Sequence, residues 1–171
     1  MRFHVCFAAL AATVVAASPA TAQQAPASAI AKGTILQSLT LVQKSDLDFG
    51  TVAPDKLLTG TVTVDADTNT RSTTGAVLTL PGAFSHAQFD GSGTAGKTVQ
   101  ITLGQPGGGV ISNGTNTIPA ALALDSVSAA PTVTIPAGGV YHVYVGGKFD
   151  IAADQPSGVY SAQFSVTATY Q

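Results

Sequence analysis

Apolar and polar residues alternate along the chain with a period of two, most clearly in the segments 141–151 and 160–170. A strand with one apolar and one polar face is typical of an antiparallel sheet that covers a core on one side. In the first segment the apolar face comprises Tyr141, Val143, Val145, Phe149 and Ile151. In the second it comprises Tyr160, Ala162, Phe164, Val166, Ala168 and Tyr170.

Turn residues separate the alternating runs at short intervals. Pro81-Gly82, Asn113-Gly114 and Pro156-Ser157-Gly158 are examples, in which proline fixes φ and glycine accepts a positive φ. No helical periodicity of comparable length is present. Short strands divided in this way predict an all-β, antiparallel β-sandwich.

The composition agrees with strands and restricts the classes of partner. All nine acidic residues are aspartates, whereas the chain has 22 threonines and 17 valines, which favour strands over helices. Only 9% of the residues are charged, and the formal net charge is −2. A chain with so weak a field is not expected to bind nucleic acid.

The N-terminus has the pattern of a secretory signal peptide over residues 1–22. A short positive start precedes the apolar run Val5 to Ala17, and the small-x-small ending predicts cleavage between Ala22 and Gln23. The only cysteine, Cys6, lies in this segment. Residues 23–32 are expected to form a flexible extension, and residues 33–171 a single domain. No later apolar run reaches the roughly 20 residues of a transmembrane helix, so we expect an exported protein of the periplasm, cell surface or extracellular space, without a membrane span after processing.

The segment Gly91-Ser92-Gly93-Thr94-Ala95-Gly96-Lys97-Thr98 matches the pattern of a phosphate-binding loop. That chemistry requires a helix after the loop, because the amides and dipole of the helix N-terminus hold the phosphates. The residues that follow alternate as a strand, and so do those before. We therefore predict a hairpin turn and no nucleotide site.

The segment Asp65-Ala66-Asp67-Thr68-Asn69 begins like a calcium-binding loop. Such a loop needs glycine at its sixth position and glutamate at its twelfth, where this chain has Thr70 and Ala76. A solvated turn is therefore the favoured interpretation, and weak calcium binding near Asp65 and Asp67 is left open.

Residues suited to catalysis are few. The predicted mature chain has only His86 and His142, no cysteine and no nucleophile elbow, and two distant histidines do not supply zinc-ligand spacing. We therefore predict neither an enzyme nor a cofactor, and assign no catalytic or metal-binding residues.

Several short segments of the chain carry a family resemblance. The segments are Leu47-Asp48-Phe49-Gly50-Thr51-Val52, Gly60-Thr61-Val62-Thr63-Val64, Val145-Gly146-Gly147-Lys148-Phe149, Gly158-Val159-Tyr160-Ser161 and Phe164-Ser165-Val166-Thr167-Ala168-Thr169-Tyr170. Together they resemble an exported bacterial family, domain of unknown function 4402. They are also similar to archaic chaperone–usher pilins and spore-coat-U-type proteins, although those pilins usually carry a disulfide. The resemblance implies an incomplete immunoglobulin-like sandwich, secreted to the periplasm, that assembles into fibres with copies of itself or related subunits, aided by a periplasmic chaperone and an outer-membrane usher.

The expected function is thus a non-enzymatic, exported structural subunit, pilin-like or adhesin-like. The alternative is a monomeric periplasmic or surface module that binds carbohydrate or another small ligand through Tyr144 or the glycine-rich loops. The residues Tyr160 to Tyr170 are the hypothetical assembly strand. Whether this strand has two neighbours in its own chain distinguishes the two functions, because only assembly by strand addition requires a missing neighbour.

Overall fold

A computed structural model describes residues 26–125 and 132–171 of the protein. Residues 26–34 form no regular secondary structure. Within the described parts of the chain every regular element is a β-strand, and no helix there is long and apolar enough to cross a membrane. The strands are β1 (Thr40–Ser45), β2 (Val52–Pro54), β3 (Gly60–Val64), β4 (Arg71–Gly75), β5 (Val77–Thr79), β6 (Ala87–Ser92), β7 (Thr98–Gly104), β8 (Val110–Ser112), β9 (Thr117–Leu124), β10 (Thr132–Thr134), β11 (Val140–Ile151) and β12 (Ser165–Tyr170).

The largest sheet has seven strands and is curled like half a barrel. Its main order is β1-β6-β11-β3-β4, with β9 added to β11 and β8 to β9. A second sheet has the order β10-β7-β12, and β2 pairs with β5. All of these pairings are antiparallel, so the prediction of an all-β, antiparallel fold is confirmed.

The twelve-residue strand β11 organises the large sheet, because it changes partner halfway along. It pairs with β6 as far as Val145 and with β3 from Gly147 onward, while β9 follows it from Val145 to Phe149. A Cβ atom on Gly146 would collide with the carbonyl oxygen of Val64, and one on Gly147 would lie 2.8 Å from Leu122 Cδ2. Two glycines are therefore needed where β3 and β9 close in on β11.

Two clusters of buried side chains form the core, and β11 contributes to both. One cluster is Val62, Ile118, Ala120, Phe149 and Ile151. The other joins Val99 and Ile101 of β7, and Ile135, to Tyr141 and Val143 of β11, so it packs the second sheet against the first. The apolar face predicted for segment 141–151 is confirmed, since its five members are 0–6% exposed.

Candidate functional site

The C-terminal strand β12 lies at the edge of the second sheet. Its only neighbour among the described residues is β7, in a register that pairs Ser165 with Gly104 and Tyr170 with Val99. The Gln171 N–H donates to the Thr98 carbonyl at 3.1 Å, in the same register. Because bonded and non-bonded pairs alternate along an antiparallel ladder, the N–H and C=O groups of Val166, Ala168 and Tyr170 point away from β7.

These same three residues direct their side chains inward. Val166, Ala168 and Tyr170 are half-buried and pack against the cluster that contains Val99 and Tyr141, while the alternate residues of β12 are exposed. The edge of β12 that lacks a partner in the described structure thus lies beside an incompletely covered part of the core. A strand edge of this kind is a template for pairing with another chain.

The predicted strand from Tyr160 to Tyr170 is only partly correct. Phe164 is half-buried and its ring meets that of Phe89 edge-on, with centroids 6.1 Å apart, but Ala162 is exposed and the strand begins at Ser165. The ladder ends there because β7 ends at Gly104 and the chain turns away at Pro106, which has no N–H to donate.

Tyr160 belongs to a different part of the core from the rest of the predicted assembly strand. It packs against the cluster of Phe149 and Ile151, and its hydroxyl donates to the Pro156 carbonyl at 2.8 Å and accepts from Gln155 Nε2 at 3.0 Å. Those bonds shape a loop rather than a strand. The alternation of Tyr160 and Ala162 with polar residues therefore did not indicate pairing with β7. In this stretch Ser161 instead forms an isolated antiparallel bridge with Ser112, through two backbone hydrogen bonds of 3.0 Å.

Opposite β12 lies β1, an edge strand of the large sheet. Its residue Leu41 and the preceding Leu39 are half-buried against the same cluster as Val166 and Ala168. The Tyr170 hydroxyl joins the two sides at one end, since it donates to the Gln37 carbonyl at 2.9 Å and accepts from the Thr94 N–H at 2.7 Å. We call the line between residues 37–45 and 164–170 the seam; no backbone hydrogen bond crosses it among the described residues.

An apolar groove of about 860 Å³ lies between residues 47–54 and residues 155–160. The first segment follows one side of the seam in the chain, and the second precedes the other side. The ring of Phe49 stands edge-on to Phe149, with centroids 4.8 Å apart. Besides these two rings the apolar walls include Val52, Ile111, Ile118, Ile151 and Tyr160.

Arg71 holds the segment that carries Phe49. Its guanidinium donates to the carbonyls of Phe49 and Leu80, each at 3.1 Å, and lies 5.0 Å from the centre of the Phe84 ring. Gly50 has φ +73°, and a Cβ there would collide with Arg71 Nη1. Glycine after Phe49 is thus required both by the backbone and by the arginine.

The phosphate-loop lookalike joins two sheets. The prediction that strands flank it is confirmed, because β6 ends at Ser92 and β7 begins at Thr98. The predicted hairpin is wrong: β6 pairs with β1 and β11, whereas β7 pairs with β10 and β12. The Gly96 N–H donates to the Ile135 carbonyl at 2.8 Å, which fixes the crossing without the helix N-terminus that phosphate binding requires.

The calcium-like segment is a turn closed by Asp65. Its carboxylate accepts the N–H groups of Asp67 and Thr68 at 3.0 and 2.8 Å, and the Thr68 hydroxyl at 2.9 Å. The bonds from Thr68, backbone and then side chain, lower the pKa of Asp65. Across residues 26–125 and 132–171, no three His, Cys, Asp or Glu side chains are placed to hold a metal ion together.

Two features of the site were not predicted from the sequence: the apolar groove, and the contribution of Leu39 and Leu41 to the seam. Phe49 and Gly50 lie in the Leu47–Val52 segment that contributes to the family resemblance, but nothing in that segment indicated that the loop 155–160 lies across from them. The predicted cleavage site between Ala22 and Gln23 lies outside the described residues.

The chain is therefore an antiparallel all-β protein with an edge strand at its C-terminus. It belongs to the family described as a domain of unknown function, DUF4402, whose model matches residues 39–170 and so spans all of the strands from β1 to β12. Comparison with curated proteins and with solved structures found no match to the chain.

Proposed function

We propose that the protein is an exported, non-enzymatic structural subunit, pilin-like in design, whose incomplete immunoglobulin-like sandwich accepts one strand from another chain. A single observation carries the proposal. In Val166, Ala168 and Tyr170 the backbone groups directed away from β7 coincide with half-buried apolar side chains. An added strand would satisfy the backbone groups and cover the side chains at the same time.

The seam provides the position for the added strand. A strand placed beside β12 would also cover Leu39 and Leu41, and its continuation would reach the apolar groove around Phe49 and Tyr160. We propose that a periplasmic chaperone supplies this strand first, with an outer-membrane usher then exchanging it for residues 23–34 of a second copy or a related subunit.

A matched pair of proline variants tests which edge of β12 takes part. Ala168→Pro removes an N–H directed away from β7, where an edge strand tolerates proline, whereas Thr167→Pro removes an N–H that the register assigns to the bond with β7. We expect Ala168→Pro to fold as the parent does but to lose heat-labile, detergent-resistant ladders on gels. Thr167→Pro should instead lower the free energy of unfolding by about 1–3 kcal/mol.

Deletion of residues 23–34 tests the donor. It leaves β1 and its half-buried Leu41 intact, so the shortened chain should fold, bind a chaperone strand and form no ladder. Assembly by Ala168→Pro at the parent's level would contradict strand addition at β12. A full-length mature protein that purifies alone as a stable monomer, without a ladder at any concentration, would favour the monomeric binding module instead.

The export part of the proposal has its own test. Intact mass spectrometry of the protein from a cell-envelope fraction should give a chain that begins at Gln23, because the Ala20-Thr21-Ala22 ending is a favourable cleavage site. Recovery of a species that retains Met1 or Arg2 would contradict export by this route.

A further inference from the structure

The outer face of the large sheet carries a polar cluster centred on Asp90 of β6. Its carboxylate accepts a hydrogen bond from His142 Nδ1 at 2.6 Å and from Gln88 Nε2 at 3.0 Å, both on the Oδ1 atom. The other oxygen, Oδ2, faces Lys44 Nζ at 3.8 Å. The hydrogen bonds from His142 and then Gln88 lower the pKa of Asp90, so the group is a carboxylate at neutral pH.

A β-bulge brings Lys44 to this cluster. In the ladder of β1 with β6, Gln43 pairs with Phe89 and Ser45 with Gln88, so Lys44 is the extra residue on β1. Bulges redirect a side chain that regular alternation would place elsewhere. The 3.8 Å separation is too long for a direct hydrogen bond, so the ammonium of Lys44 and Asp90 Oδ2 face each other across a gap.

Three rings stand in a row beside the carboxylate. Tyr144 is stacked with His86 at 4.7 Å and lies 6.4 Å from His142, with interplanar angles of 29° and 25°. The Nδ1 atom of His142 donates to Asp90, so a ligand on this face would meet its Nε2 atom. Val42, which is 56% exposed, lies across from Asp90 on β1 and adds apolar surface.

We propose that this cluster, the Asp90 face, binds a neutral saccharide. A hydroxyl group both donates and accepts, so one hydroxyl placed between Lys44 and Asp90 would accept from the ammonium and donate to Oδ2. The charges of Lys44 and Asp90 cancel. Lys44 repels a cationic ligand and Asp90 repels an anionic one, so the pair favours a neutral ligand over an ion. Ring carbons of the sugar would contact Tyr144 and Val42. The inference does not depend on strand addition, because the side chains of Val42 and Lys44 lie on the outer face of the large sheet with Asp90, whereas Leu39 and Leu41 at the seam pack against the core.

Chemical-shift mapping on isotope-labelled mature protein tests the proposal. The probes are D-glucose, D-galactose and N-acetylglucosamine, with glucuronic acid as the charged counterpart, each titrated to about 100 mM because exposed polar sites bind weakly. We expect at least one neutral sugar to shift the amide signals of Lys44, Asp90, His142 and Tyr144. In Asp90→Asn and in Lys44→Gln its affinity should fall about ten-fold, which corresponds to the loss of one charge-assisted hydrogen bond.

Asp150→Asn is the matched control. Asp150 also lies on the polar face of β11 and accepts the Thr61 hydroxyl at 2.6 Å, but it is outside the Asp90 face, so its variant should bind the sugar as the parent does. Amide signals outside the Asp90 face report whether a variant is folded, because they should stay unchanged. Asp90→Asn and Lys44→Gln change the site separately, so each checks the loss of affinity seen with the other. The proposal is overturned if no neutral sugar shifts these signals, if Asp90→Asn and Lys44→Gln bind as well as the parent, or if glucuronic acid binds more tightly than every neutral sugar.

Discussion

Strands β11 and β12 have the same alternating pattern of side chains but different positions in the fold. From Val145 to Phe149, β11 has neighbours on both edges, and its inward residues Val145 and Phe149 are at most 6% exposed. β12 has β7 on one edge, and its inward residues are only half-buried. The difference shows that alternation tells which way side chains point, whereas the strands and the facing sheet around them decide how completely they are buried.

The comparison of Phe149→Ala with Phe164→Ala should give the largest difference in stability. Phe149 is 6% exposed and packs against Phe49, so its removal should cost about 3–5 kcal/mol of unfolding free energy. Phe164 is half-buried at the seam, and Phe164→Ala should cost about 1–2 kcal/mol. Urea unfolding of both variants measures the difference. Equal losses would mean that β12 covers a closed core, which would contradict an open seam.

Arg71 is the next test, because it holds one wall of the groove. Arg71→Gln loses the fork that reaches the carbonyls of Phe49 and Leu80, and should destabilise the domain by about 2–3 kcal/mol. Arg71→Lys keeps the charge but not the planar fork, so it should recover only part of this loss. Full recovery by lysine in urea unfolding would show that charge alone accounts for the contribution of Arg71.

Much of the fold could be predicted from the sequence, because side-chain alternation and turn residues are local signals. Those signals agree with the inward faces of β7 and β11. They also agree with the boundaries of the segment 93–97, where β6 has ended and β7 has not yet begun. Pairing partners could not be predicted, since backbone hydrogen bonds do not depend on which side chains the strands carry. For that reason the hairpin of β6 with β7 was wrong, and the strand predicted from Tyr160 extended beyond the end of its partner.

The candidate site was predictable only in part for the same physical reason. Val166, Ala168 and Tyr170 follow from the alternating pattern, but the edge that lacks a partner in the described structure depends on the distant strand β7. The Asp90 face depends on the bulge that places Lys44 of β1 out of register. It also depends on the pairing of β6 with β1 and β11, each about 50 residues away in the chain. Neither feature has a local sequence signal.

Tyr170→Phe tests how the end of β12 is fixed and should have a smaller effect. The change removes the hydroxyl that links Thr94 to Gln37, and should cost about 1 kcal/mol while the ring stays in place. Thr169→Ala, on the exposed side of β12, should change stability by less than about 0.5 kcal/mol. If both variants unfold at the same urea concentration as the parent, the hydroxyl contributes nothing to the closed end of the seam.

The smallest effect on stability is expected at Asp65. This residue comes directly after β3, a strand paired on both edges, and lies outside the seam. Because hydrogen bonds lower its pKa in the folded protein, the carboxylate stabilises the fold above the pKa of the unfolded chain, near 3.8. This stabilisation should decline as the pH falls below that value and vanish below the lowered pKa. Asp65→Asn keeps an acceptor oxygen but loses the charge, so the parent should be the more stable of the two at pH 7 and should lose that advantage as the pH falls below the lowered pKa of Asp65. Thermal unfolding of the two proteins across this range measures the effect; curves that stay parallel would show that the turn is held by its backbone bonds alone, with no contribution from the charge of Asp65.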